Sequence, residues 1–336
     1  MRDKKEEKMI NRTLLRIKVI QILYSYYKNK ENETPELESA QNELIESTDK
    51  TYELYHYFFL LIIKITEYVQ KLAKKKTSAN EAYVKLANNL FVQQLTKNKQ
   101  LLSYFDEHEV DWANKTEENE LFWDIQIEEQ QNNLIKEIVP QILELEEFNK
   151  YNETKENSYV EDKEIWRSIL RKTISDSESI GRELEDMSIY WNDDAADVIS
   201  FVSKTIRNFD EAQGEDQELL PQFRDKEDLE FALKLLKQSI YDEADYRKMI
   251  FERTKNWDAD RVAFLDTIIM QTALAEICNF PTIPVNVTIN EYIEIAKSYS
   301  TAKSGIFING LLDTIAKELV ESKKVNKVVY TNAYKK

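Results

Sequence analysis

Lys8, Arg12 and Arg16 recur every fourth residue near the start of the chain. On a helix that spacing lines up three cations in one stripe, suited to successive phosphates of a nucleic acid. The other reading is the wet face of an amphipathic helix. Lys297 and Lys303 with Phe307 make a second basic and aromatic cluster beside a predicted helix start, where unpaired backbone N–H groups favour phosphate. Tyr24 and Phe307 are rings of the kind that stack unpaired bases, with core packing as their alternative.

Other chemistries find few residues. Neighbouring carboxylates such as Glu117-Glu118, Glu128-Glu129, Glu146-Glu147 and Asp193-Asp194 point about 100° apart on a helix and do not converge for acid/base work. No Gly-rich loop exists to cradle a dinucleotide or nucleoside triphosphate. His56, His108 and Cys278 lie far apart with no paired-ligand spacing, so no metal, cofactor or small-molecule substrate is expected. The Tyr52–Phe59 aromatic run reads as packing.

The elements that must position the basic clusters are helices. Four Gly and five Pro in 336 residues cannot supply the turns of a doubly wound or all-β fold, so the expected class is all-α. The periodicity predicts helices over Lys8–Tyr27, Thr51–Lys76, Leu229–Ile240, Ala244–Lys255, Asp258–Cys278 and Ser304–Glu318. Further helical stretches are expected over 81–105, 118–150 and 160–206, with a linker or short helix over Asn29–Asp49. Thr288 to Glu291 has the pattern of a capping box opening a helix through Tyr299, and Gly310 inside the last helix suggests a close crossing by a neighbour. The longest apolar run, Tyr57–Ile63, is far short of the roughly 20 residues that span a bilayer, so the expectation is a cytoplasmic protein without membrane contact.

The formal net charge of -16 opposes nucleic acid, but its distribution does not. Residues 1–30 hold nine basic and three acidic side chains, residues 297–336 eight and three, and residues 31–296 hold 29 and 56. Two basic ends flank an acidic body.

Several blocks resemble the transcription antitermination factor NusB family. They are Trp257-Asp258-Ala259-Asp260-Arg261 running on to Ala273-Leu274-Ala275-Glu276-Ile277, then Ile283-Pro284-Val285, Ile289-Asn290-Glu291-Tyr292, and Phe307-Ile308-Asn309-Gly310-Leu311-Leu312-Asp313. Arg12, Arg16 and Ile20-Gln21-Ile22-Leu23-Tyr24-Ser25 look like the family's first helix. The resemblance covers roughly 10–28 and 226–320. It implies two packed small helical bundles without catalytic activity that bind the boxA element of ribosomal RNA with NusE, a small-subunit ribosomal protein, within the RNA polymerase antitermination complex. Carried over by position, the RNA-binding residues would be Arg12, Arg16 and Tyr24, with Lys8 upstream, and Ala302, Lys303 and Ser304 before Phe307; Lys255 is a further candidate, as is Arg253.

On this reading residues 1–28 are a first helix with a basic arm, 29–225 an acidic helical insertion, 226–320 the NusB-like core and 321–336 a basic tail. Two other classes stay open: a helical protein-interaction scaffold without RNA specificity, and an accessory domain of a ribosomal RNA methyltransferase. The second is disfavoured by the scarcity of glycine for a methyl-donor loop.

Overall fold

A computed structural model describes residues 8–29, 36–75, 78–112, 134–191, 193–254, 263–325 and 327. Its helices in chain order are α1 (Arg12–Asn29), α2 (Leu37–Lys74), α3 (Val84–Ala87), α4 (Leu90–Leu95), α5 (Lys99–Trp112), α6 (Leu134–Glu144), α7 (Glu146–Tyr151), α8 (Tyr159–Ile169), α9 (Glu178–Met187), α10 (Ala195–Asn208), α11 (Lys226–Tyr241), α12 (Glu243–Arg253), α13 (Phe264–Asn279), α14 (Val285–Tyr299) and α15 (Ala302–Glu321). Among the described residues there is no strand, as an all-α chain requires. No helix among them is long and apolar enough to cross a membrane.

The chain divides into two compact units, one of Met1–Met9 with Asp49–Gln222 and one of Ile10–Thr48 with Phe223–Lys336. The boundaries thus fall at 9/10, 48/49 and 222/223, and residues 29–48 go with the second unit. Residues 49–222 hold 36 acidic and 20 basic side chains, a net -16 that equals the charge of the whole chain. The rest of the protein is electrically balanced.

In the first unit the aromatic run is core, with Tyr55, Tyr57, Phe58 and Phe59 fully buried. The Tyr55 hydroxyl lies 2.8 Å from Thr205 Oγ1 and accepts the Leu220 N–H at 3.1 Å. Lys85 is also buried, donating to the Tyr151 carbonyl at 2.6 Å, Thr154 Oγ1 at 2.7 Å and Glu161 at 2.9 Å; a buried ammonium persists only when its donors are satisfied this way. His56 and His108, apparently unrelated in sequence, come to opposite sides of Tyr104, with ring centroids 3.5 and 3.9 Å from it.

The second unit is built around α13, which touches α1, α11, α12, α14 and α15. Every residue from Asp266 to Ile277 is buried, so α13 is enclosed on all sides and its buried Gln271 and Glu276 side chains need partners. Next to it, α1 is buried from Leu14 through Ile20 without a break. Seven consecutive buried residues cover the full circumference of a helix, so α1 is a core helix and not a half-wet one.

Several boundaries differ from expectation for definable reasons. α1 begins at Arg12 and not at Lys8, because Asn11 Oδ1 accepts the Leu14 N–H at 2.9 Å and caps the helix there. Where a linker or capped short helix was expected, α2 starts at Leu37 and runs unbroken into the expected second helix: Ala40, Leu44, Ser47, Thr51 and Leu54 are buried, a helical stripe that small polar residues hide. α14 starts at Val285, directly after Pro284, so Thr288 is no cap. α15 instead carries the capping box, with Thr301 Oγ1 accepting the Ser304 N–H at 3.2 Å and Ser304 Oγ the Thr301 N–H at 3.4 Å.

The close crossing is at Gly305, not Gly310. A Cβ on Gly305 would lie 3.2 Å from Lys297 Cγ and 3.7 Å from Ile293 Cγ2, whereas one on Gly310 would meet nothing within 4 Å. Gly310→Ala should therefore stabilise the protein by about 0.5–1 kcal/mol through helix propensity alone. Urea unfolding measures it, and a loss of stability would show that Gly310 meets a surface.

Candidate nucleic-acid interface

At the centre of the second unit, two arginine nitrogens grip one carboxylate. Arg16, only 3% exposed, donates from Nε to Glu276 Oε2 at 2.7 Å and from Nη2 to Oε1 at 2.9 Å. Its third nitrogen, Nη1, reaches Glu291 Oε2 at 3.2 Å. Thr288 Oγ1 donates to Glu276 Oε1 at 2.7 Å and the Tyr292 hydroxyl to Oε2 at 3.3 Å, while Thr13 Oγ1 donates to Glu291 at 2.7 Å. Burial opposes the Arg16 charge, but the hydrogen bond and field of Glu276 prevail and raise its pKa. Burial, then the Glu276 charge, raises the Tyr292 phenol.

This arrangement removes Arg16 from the candidate phosphate contacts, since its guanidinium is committed to Glu276 and closed to solvent. The expected stripe of Lys8, Arg12 and Arg16 is thereby broken twice, because Lys8 precedes the helix. Arg12 remains half exposed, 3.7 Å from Asp228 and with its guanidinium 4.9 Å from the centroid of the Phe231 ring. Lys8 is partly buried.

The other sequence candidates fall in two places. Tyr24, 41% exposed, meets Phe264 edge-on at 5.4 Å. It borders a cavity of about 260 Å³ whose walls include Ile20, Leu265, Ile295 and Tyr299. Lys303 and Phe307 instead border a second cavity, of about 490 Å³, together with Arg253, Ile306, Gly310 and Leu311. Ile306 is 79% exposed there, and Arg253 is ion-paired with Glu318. Lys303 is exposed and carries no ion pair among the described residues.

Lys297 is exposed and paired with Glu294 at 2.6 Å. Ser304 is buried and spends its hydroxyl on the capping box, so its part in the second place is to fix the first turn of α15. Ala302 opens that turn. Lys255 lies outside the described residues. Arg253 and Ile306 gain weight from their position, and the exposed isoleucine is a signal sequence reading passed over. Among the described residues no three His, Cys, Asp or Glu side chains group as metal ligands. Cys278 is a partly buried thiol, raised to about 11 by burial.

Comparison with known proteins matches residues 194–317 to the NusB family model. The transcription antitermination protein NusB of Salinibacter ruber is 30% identical over 132 residues, 38% of this chain and 82% of the relative. Those of Geotalea uraniireducens and Geotalea daltonii are 35% and 37% identical, over 91% and 93% of their lengths and 40% and 41% of this chain. A solved NusB structure from T. maritima is 30% identical over 38% of this chain and 80% of its own, with a TM-score of 0.28.

Proposed function

Because the chain belongs to the NusB family, we propose that it is an RNA-binding transcription antitermination factor that takes up a boxA-type leader of ribosomal RNA together with NusE, as part of the antiterminating RNA polymerase complex. RNA is held by the second unit, and the observation that carries this reading is the exposed Lys303 beside the half-buried Phe307 at the start of α15. An unpaired ammonium, a half-buried ring and the first backbone N–H groups of a helix combine the features that hold a phosphate and stack a base. Lys297 joins them by exchanging Glu294 for phosphate, since an exposed ion pair is worth at most about 1 kcal/mol. Arg12 and Tyr24, in the same unit, serve the other end of the RNA.

The acidic residues 49–222 repel RNA and confine it to the second unit. Replacing Phe307 or Tyr24 by alanine should each cost about 1–3 kcal/mol of RNA affinity, the worth of one stacked base. Fluorescence anisotropy with a labelled single strand reads this, and a folded variant with unchanged affinity would return that ring to a packing role.

The burial of Arg16 favours a second reading, a scaffold that binds NusE but has lost RNA. It would show tight NusE association with no gain in RNA affinity from the heterodimer.

A further inference from the structure

Resting on the RNA-binding reading, we infer that Lys28, Tyr24 and Phe264 form a single-nucleotide station at the end of α1, where an unpaired base lies against Tyr24 and its phosphate meets Lys28. Sequence reading had passed over Lys28, an exposed lysine in the last turn of α1. Its ammonium sits 4.9 Å from the centroid of the Phe264 ring and 5.9 Å from that of Tyr24. Among the described residues no carboxylate pairs with it. The cation is thus held in place by aromatic faces, not neutralised, and remains open to an anion.

The surroundings suit a nucleotide. Tyr24 offers a ring to stack on, and the cavity beside it has an apolar wall formed by Ile295, Leu265 and a second ring, Tyr299. The apolar cavity beside Tyr24 and the ammonium over the Phe264 and Tyr24 rings suit the two halves of a nucleotide, a flat base and a charged phosphate. Arg16 is committed to Glu276, whereas Lys28 is exposed in the last turn of α1. Some 16 residues, about 24 Å of helix, separate it from Arg12, so the two cations reach different phosphates.

The test titrates a labelled single-stranded RNA carrying the boxA sequence into wild type, Lys28→Ala, Lys28→Arg and Lys71→Ala, an exposed lysine of the first unit as control, at salt from about 50 to 200 mM. Lys28→Ala should reduce the slope of log affinity against log salt by about 0.7, the mark of one lost phosphate contact on a single strand. Lys28→Arg should keep the slope, and Lys71→Ala should leave it unchanged. Combined with Tyr24→Ala, the Lys28→Ala loss should be less than additive, because both side chains hold one nucleotide.

A lysine that serves only the negative end of the helix would leave slope and affinity unchanged while wild type binds RNA, which overturns the station alone. Additive losses would overturn the shared nucleotide. Wild type that binds no RNA at any salt overturns the functional reading and the station with it. Circular dichroism of each variant separates these results from misfolding.

Discussion

Glu276→Ala should destabilise the second unit by about 3–5 kcal/mol, the cost of leaving a buried charge without its partner. The carboxylate accepts four hydrogen bonds, two from Arg16 and one each from Thr288 and Tyr292. Its removal leaves the buried Arg16 with Glu291 alone and orphans two hydroxyls. The three helices concerned, α1, α13 and α14, carry the Tyr24 cavity, so the network fixes that part of the interface. Hydrogen exchange across α13 measures the loss within this unit, where a single global transition need not exist. Replacing both Arg16 and Glu276 by apolar residues of similar size should cost far less than the sum of the single changes. A loss below about 0.5 kcal/mol in Glu276→Ala would mean the pair is open to water.

The second large effect belongs to the first unit and to pH. His56 is 2% exposed and its Nδ1–H donates to the Tyr52 carbonyl at 2.9 Å, which leaves Nε2 without a proton in the neutral ring. Burial pushes its pKa down to about 3, against the smaller upward pull of the Tyr52 carbonyl. Between about pH 6.5 and 3 the unfolded chain therefore binds a proton that the folded unit refuses. The folded state loses stability as pH falls through that window, with a limiting slope of about 1.4 kcal/mol per pH unit, and the loss stops below the folded pKa.

The interval from about pH 6 to 5 isolates this effect, since most carboxylates titrate lower. His56→Phe keeps a ring against Tyr104 and should flatten the profile there. Equal slopes for wild type and variant, followed by hydrogen exchange in α2 and α5, would mean that His56 takes up its proton in the folded unit.

Helical class and the relation to the NusB family were legible because they rest on local signals: scarce glycine, helical periodicity and motif blocks in a fixed order. What sequence reading missed is long-range. Arg16 looked like a solvent-facing cation because its partner, Glu276, is 260 positions away, and Thr288 looked like a cap because the same carboxylate is invisible to a four-residue pattern. Ser304 was expected to open the last helix and sits instead inside its first turn, where it forms a capping box with Thr301. His56 and His108 seemed unrelated until Tyr104 brought them together. Gly310 was expected to mark a crossing point because it lies inside a helix, whereas the close α14–α15 approach is at Gly305. Charge needed the fold to be interpreted: the -16 seemed to describe the protein and describes residues 49–222.

The most direct test of RNA recognition is a titration of a boxA-type single strand and its scrambled counterpart, each with and without NusE, at two salt concentrations. The proposed antitermination function predicts tighter binding of the boxA strand, strengthened by NusE, with an affinity that falls steeply as salt rises. Equal binding of both strands, with NusE making no difference, would contradict it.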